Sequence, residues 1–453
     1  MVRDSQHPDQ LQSMVTAFFM EYHIGKLLRQ SNITKQAGIP VLEVFRLLFA
    51  LVFHQRSLKR VLEQLAMNQF GKDTVYRFLN SPRHNWRRFL LLLSSAVVRR
   101  TARLTSEDRA DVFIVDDSLF SRSRSKKVEL LAKVYDHVSH TFVRGFRMLT
   151  LGWSDGNSFV PLCFSLLSSE NERNRLCGVN ESIDKRTCGY KRRQEGMRKA
   201  TDVVFELLAQ AQDMGISAKY LLFDSWFAYP STIIRALEHS VNVVCMLKDM
   251  PKVRYGYEGQ RLILSELYRA VRKRRGRAKI LASVTVQLGQ DDKGRPVLSK
   301  IVFVRDRNRS RQWLALLCTD TCLADEEIVR IYGKRWDIET FFKVSKSYLR
   351  LAKELQGRTY DQMFAHTTIV FTRYIMLSAA ARDEQDPRTI GALFFDCCDE
   401  LEDIRFVEAL RLLLELLRSA LEVALAQKSD VIDQVVQQFI ARLPNAVKDK
   451  LAA

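Results

Sequence analysis

The chain has 453 residues, 47% of them hydrophobic, and Lys+Arg 71 against Asp+Glu 52 leave a formal charge of +19. That length exceeds one ordinary domain and can bury a sizeable core, while the charge favours a polyanionic partner, most simply nucleic acid. Eight scattered cysteines carry neither a disulfide framework nor a zinc-ligand spacing, so a reducing cytoplasm is expected and structural zinc is not. The polar start MVRDSQHPDQ leads into no long apolar run, so no signal peptide is expected. The patch VFRLLFALVF is too short for a membrane span and reads as a buried helix.

Residues 1–108 read as helical throughout, with apolar residues at helical spacing through 14–28, 41–53, 58–67 and 86–98. Gly38-Ile39-Pro40 breaks one helix from the next. Gly71-Lys72-Asp73 marks a second break, with Asp73 placed to cap a helix over 74–79. Arg77, Arg83, His84, Arg87 and Arg88 gather around Asn80-Ser81-Pro82. Basic turns between short helices suit a DNA backbone, and a helical bundle with a solvated basic face fits equally well.

At Asp111 the texture changes. Residues 112–115 form a short apolar run ending in Asp116-Asp117-Ser118, which reads as a buried strand delivering carboxylates, and the basic loop SRSRSKK follows. Two β-rich runs, 142–153 and 158–167, flank Ser154-Asp155-Gly156-Asn157, a hairpin signal. A polar, basic loop over 168–192 precedes a helix over 194–214. Residues 220–223 form the next strand, which ends at Asp224. A helix from Tyr229-Pro230 and a strand over 241–247 complete the order β-β-β-α-β-α-β. An RNase H-like fold has this order, and its adjacent parallel strands bring two such strand ends together.

The interval to the next helix, near Asp325, predicts strands over 280–288, 299–305 and 313–318 and a basic helix over 264–275. It carries the basic runs RKRRGRAK and RDRNRSR, placed to line a DNA path. Beyond Lys346 the chain returns to helices, over 390–401, 406–425 and 431–443. The expected organisation is therefore α/β. A helical DNA-binding region spans 1–108. An RNase H-like catalytic domain spans 109–378, with a β subdomain inserted at about 250–322, and a helical region over 379–453 suits dimerisation.

The segment YGKRWDIETFFKVSK places Tyr332, Arg335, Glu339 and Lys346 at successive offsets of 3, 4 and 7. At about 100° per residue of α-helix they share an arc of roughly 60°, with Trp336 and Phe341 turned towards a core. Gly333 can break the helix, so the arc is firmest from Arg335 onward. A charged helix face with i,i+4 pairing is the simpler alternative. Joined to Asp116 and Asp224, Glu339 completes a set of three carboxylates suited to two Mg²⁺ ions, or Mn²⁺, roughly 3.5–4 Å apart. Arg335 and Lys346 would bind phosphates beside the scissile bond, and Tyr332 would hydrogen-bond a phosphate oxygen. Asp117 competes with Asp116 for the first ligand position; strand alternation points the two to opposite faces.

These residues resemble the Y-(2)-R-(3)-E-(6)-K signature of the YREK-type DDE transposases of insertion sequence family four, with IVDDS and YLLFDSWF similar to that family's aspartate motifs. The resemblance covers most of residues 70–375. It implies a bacterial, nucleoid-associated enzyme that binds terminal inverted repeats and target sites in double-stranded DNA. It further implies a synaptic homodimer and cut-and-paste transposition, in some relatives through a DNA hairpin with a flipped base stacked on an aromatic ring. Trp226 and Trp313 are the candidates for that ring, although core packing is the expectation for each. A DDE-type nuclease that cuts without joining is the main alternative.

Overall fold

The computed structural model describes residues 13–55, 58–59, 61, 71–104, 109–136, 139–274, 278–306, 312–355, 357–383, 389–425, 429–444 and 447–448. The chain opens with helices α1 (Met14–Glu21), α2 (Ile24–Gln30), α3 (Val41–Ala50), α4 (Lys72–Leu79) and α5 (Trp86–Arg103). The run expected over 14–28 is split at Tyr22 and His23, where His23 takes a left-handed φ of 48°. Ser13 caps α1 and Asn85 caps α5, each accepting a backbone N–H three residues on. Asp73 is not the cap of α4: Gly71 holds that position and Asp73 lies in the first turn, where its charge still favours the helix N-terminus. The helix expected over 58–67 lies mostly outside the described residues. Phe18, Phe19, Phe45, Phe49, Trp86 and Phe89 interlock the helices in one aromatic cluster.

Among the described residues eleven strands form one mostly antiparallel sheet in a mixed α/β architecture. They are β1 (Val112–Ser121), β2 (Ala132–Asp136), β3 (Thr141–Ser154), β4 (Phe159–Leu167), β5 (Tyr220–Phe223), β6 (Asn242–Leu247), β7 (Tyr255–Tyr257), β8 (Gln260–Leu262), β9 (Ile280–Gln290), β10 (Pro296–Arg305) and β11 (Trp313–Cys318). The order is β2-β3-β1-β5-β6-β11-β10-β9-β7-β8, with β4 also on β3. β1, β5 and β6 run parallel, whereas β3 is antiparallel to β1 and β11 to β6. The opening region holds a strand, β2, that the sequence pattern did not predict; it is five residues long and pairs with the start of β3, with one further bridge from Ala132 to Arg175. Strands β9 to β11 form where expected and continue the sheet past β6.

The helix expected over 194–214 is two, α6 (Cys188–Gly196) and α7 (Ala200–Asp213). Helices α8 (Pro230–Glu238), α9 (Leu264–Ala270), α10 (Asp325–Gly333), α11 (Trp336–Ser347) and α12 (Tyr360–Asp383) follow. The chain closes with α13 (Ile390–Leu425) and α14 (Ser429–Arg442). The two helices expected over 390–425 are one, because residues 402–405 contain no Gly or Pro to interrupt it. Helix α12 is buried along most of its length and carries the fully buried Arg373. Arg373 donates to the carbonyls of Leu48 and Phe49 at the end of α3 and pairs with Glu354, tying the first helices to the rest of the molecule. Among the described residues no helix is long and apolar enough to cross a membrane.

Buried histidines give the fold an acid sensitivity. His84 packs between Phe78 and Trp86, and burial, reinforced by Arg192, lowers its pKa to about 4. The unfolded chain binds this proton near pH 6.5, so stability is full above that pH and is lost as pH falls towards 4. The expected loss is up to about 3 kcal/mol. His366, lowered to about 3 chiefly by burial, adds in the same direction. Urea unfolding at pH 4.5 and pH 7 should show a smaller difference for His84→Phe than for the wild type; an equal difference would exclude His84 as a source.

Candidate active site

The parallel register of β1 with β5 pairs Ile114 with Leu222 and then stops. Two residues on stand Asp116, within β1, and Asp224, one residue past the end of β5, so continuing the register sets the two carboxylates abreast at the open end of the pairing. Parallel neighbours lie about 4.8 Å apart. Burial comes first among the causes that raise Asp116, followed by the charges of Asp224 and Asp117, and together they bring its pKa to about 7. Burial also raises Asp224, against the N–H of Trp226, which donates to its Oδ1 at 2.9 Å, and the charge of Arg335. Two half-desolvated carboxylates thus repel each other in one place, an arrangement that a cation relieves.

Strand alternation separates Asp117 from Asp116. Asp117 takes the Arg147 guanidinium of β3 as a salt-bridge partner, and that guanidinium lies 4.9 Å over the ring of Trp226. Asp116 instead faces α11. Arg335 Nη2 donates to Glu339 Oε1 at 2.6 Å, while Nη1 lies 3.6 Å from Asp116 Oδ2. One guanidinium therefore bridges the carboxylates of β1 and α11. The ring of Tyr332 lies 5.7 Å from that guanidinium, and its hydroxyl is raised by burial above the usual phenol range.

The expected stripe is interrupted. α10 ends at Gly333 and α11 begins at Trp336, with Lys334 and Arg335 in the turn between them. The phase slips there, and Trp336 is 64% exposed instead of facing a core, whereas Phe341 is fully buried. Lys346 stands about 16 Å further along the helix than Arg335, and its Nζ donates to Ser118 Oγ at 2.6 Å. Asp116, Asp224, Arg335 and Glu339 thus converge, with Tyr332 beside them; Asp117 turns to Arg147, and Lys346 serves a neighbouring position.

Among the described residues no three His, Cys, Asp or Glu side chains form a ready metal-holding group. Glu339 is held by Arg335, which stands where a divalent cation would neutralise the same charges. The donor set is still the right one for a hard cation: carboxylate oxygens, two of them desolvated and mutually repelling. Asp116, Asp224 and, once released from Arg335, Glu339 would hold it.

Several expectations change with the long-range contacts. His84 is buried, and Arg87 forms a bidentate pair with Glu195 at 2.5 Å, so neither is available to DNA; Arg77, Arg83 and Arg88 are exposed. Trp226 is not a core residue but 47% exposed, whereas Trp313 packs on Tyr268 and Phe303. The basic runs of the insertion lie partly outside the described residues, and Arg274 within one of them pairs with Asp325. Arg147 and Ser118 were not singled out by the sequence, because nothing local marks a residue whose partner lies on another element.

A family model described as DDE superfamily endonuclease matches residues 46–287, more than half of the chain, including Asp116 and Asp224 and ending before Glu339. No curated protein matches. Among solved structures the chain is similar to a piggyBac transposase in a synaptic complex with hairpin DNA, at a TM-score of 0.41 and 9% identity, covering 100% of this chain and 78% of that one. A likeness that loose bears on neither fold nor function.

Proposed function

The chain belongs to the DDE superfamily endonucleases, and from that premise we propose that it is a DNA transposase of the YREK type, related to insertion sequence family four. Its substrates are the terminal inverted repeats of a mobile element and a target duplex, joined by cut-and-paste transfer. The observation that carries this reading is the pair Asp116 and Asp224, just past the pairing of β1 with β5, both raised by burial and Asp116 also by the charge of Asp224, with Arg335 and Glu339 facing them. The central strand order, with β3 antiparallel and β5 and β6 parallel to β1, supports an RNase H-like core in which β7 to β11 are the insertion.

In this mechanism Asp116, Asp224 and Glu339 would hold Mg²⁺ or Mn²⁺. When bound, such ions would supply activation of the attacking water or 3′-hydroxyl and charge stabilisation at the leaving oxygen. Arg335, released from Glu339, turns its two-pronged guanidinium to a phosphate at the cut, and Tyr332 donates to the same group. Lys346 binds a phosphate some way along the strand. Asp117, neutralised by Arg147, orients the strand that carries Asp116 and holds Arg147 over Trp226.

Element-end DNA with Mg²⁺ tests the reading. Cleavage followed by joining to a target duplex is expected; cleavage without joining would assign the site to a DDE nuclease. A homodimer is also proposed. Leu412, Leu413, Leu416 and Leu417 of α13 and Phe439 of α14 are exposed apolar residues, an array that a second copy would cover. Sedimentation with element-end DNA should show a dimer that Leu413→Lys/Leu416→Lys weakens at least tenfold; a wild type that stays monomeric on DNA would contradict it.

A further inference from the structure

Beside the carboxylates the surface opens into a cleft of roughly 1250 Å³, walled by the loop after β1 and the loop between α11 and α12. Arg124, Lys126 and Lys127 line it from the first wall, Lys353 and Arg358 from the second, and Lys346 from α11. No carboxylate is among its described lining residues.

Exposed arginines elsewhere include several that sit against carboxylates: Arg198 on Glu206, Arg295 on Asp291 and Arg330 on Glu327. Among the described residues none of the six lining cations is paired in this way. Six like charges gathered in a concavity, of which Lys346 feels the opposing charges of Asp136 and Asp116, repel one another and focus a positive potential on whatever enters.

The walls are built to hold this shape. Arg122 is buried and donates from Nη1 to the Ala352 carbonyl at 3.0 Å and from Nη2 to the Leu355 carbonyl at 3.2 Å, clamping the two loops together. The Glu129 N–H donates to the Arg358 carbonyl at 2.9 Å, closing the far end. Arg350 and Ala352 take left-handed φ values of 55° and 61°, so the second wall doubles back towards the first. Lys346 joins the cleft to the site, since its partner Ser118 lies two strand residues, about 7 Å, beyond Asp116.

We infer that this cleft is a preformed seat for the phosphate backbone of the DNA strand leading away from the scissile phosphate. The inference rests on the DNA-cleaving function proposed above and extends it to a strand path along the loop after β1. Phosphodiester oxygens meet a row of lysine and arginine donors there, with no base edge to read, so the contact is independent of sequence.

The salt dependence of binding tests it, with the full chain and the same oligonucleotide in duplex and single-stranded form. In a plot of log affinity against log salt, each cation that meets a phosphate contributes a slope of about 0.9 on duplex or about 0.7 on a single strand. Arg124→Ala, Lys126→Ala, Lys353→Ala and Arg358→Ala combined should therefore flatten the slope by roughly 3 on the form that occupies the cleft. Arg198→Ala, a cation outside it, should leave the slope unchanged. The four side chains are exposed, so thermal unfolding should match the wild type. An unchanged slope in the fourfold variant, with wild-type binding intact, overturns the cleft assignment alone. A wild type with no affinity for either DNA form overturns the proposed function and the cleft with it.

Discussion

Asp224→Asn should lower DNA cleavage by roughly 1000-fold or more while leaving DNA binding in place. A metal-centred site supplies several kcal/mol of charge stabilisation, and about 4 kcal/mol corresponds to about 1000-fold in rate. Asparagine keeps the shape and still accepts the Trp226 N–H, but it removes the charge that holds the cation. Because burial disfavours the Asp224 carboxylate in the free protein, the same substitution should leave the metal-free unfolding midpoint unchanged or slightly higher. Asp116→Asn and Glu339→Gln should behave alike in cleavage. Asp117→Asn should cost less, because its partner is Arg147. A gel assay on labelled duplex with Mg²⁺, run beside a filter-binding curve, separates the two effects. Cleavage within tenfold of wild type for Asp224→Asn would remove that residue from the reaction.

The second large effect is on stability. Arg193 is 1% exposed and donates to Glu129 Oε1 and Oε2 at 2.6 and 2.8 Å, to Asp361 Oδ1 and Oδ2 at 3.0 and 2.8 Å, and to the Gly189 carbonyl at 2.8 Å. Burial works against the charge of Glu129, and hydrogen bonds from Arg193 and from the N–H groups of Tyr360 and Asn180 outweigh it and lower its pKa. Arg193→Ala leaves these carboxylates buried without that partner, and breaking a buried pair in this way costs about 3–5 kcal/mol. Arg192 lies 3.2 Å from Asp361, so the uncompensated charge falls mainly on Glu129. Adding Glu129→Gln should therefore recover part of the loss. Urea unfolding of the two variants checks both statements; a loss under about 1 kcal/mol for Arg193→Ala would mean that the network does not hold the fold. The same network anchors Glu129, whose N–H closes the basic cleft.

What the sequence disclosed, and what it withheld, follows from the range of each interaction. Asp116 and Asp224 were legible because each follows a short apolar run bounded by polar residues, and parallel pairing did the rest. Arg335 and Glu339 were legible as an i,i+4 pair. The exposure of Trp336 was not, since the phase of a helix cannot be carried across a turn that only the fold reveals. His84 and Arg87 looked like part of a DNA-binding turn because the partner of Arg87, Glu195, lies 108 residues away. Strand β2 is short and takes its place mainly from β3. The sheet's continuation from β6 to β11 depends on a pairing between segments separated by β7 to β10.

The most direct test of the central claim is a titration of the full chain with Mn²⁺, followed by calorimetry and by the electron paramagnetic resonance of the free ion. Wild type should bind Mn²⁺, with Asp116→Asn, Asp224→Asn and Glu339→Gln each weakening binding at least tenfold and Asp117→Asn weakening it less. Mn²⁺ binding that is the same in all four variants and the wild type would contradict the account, because the ion would then sit somewhere other than on these carboxylates.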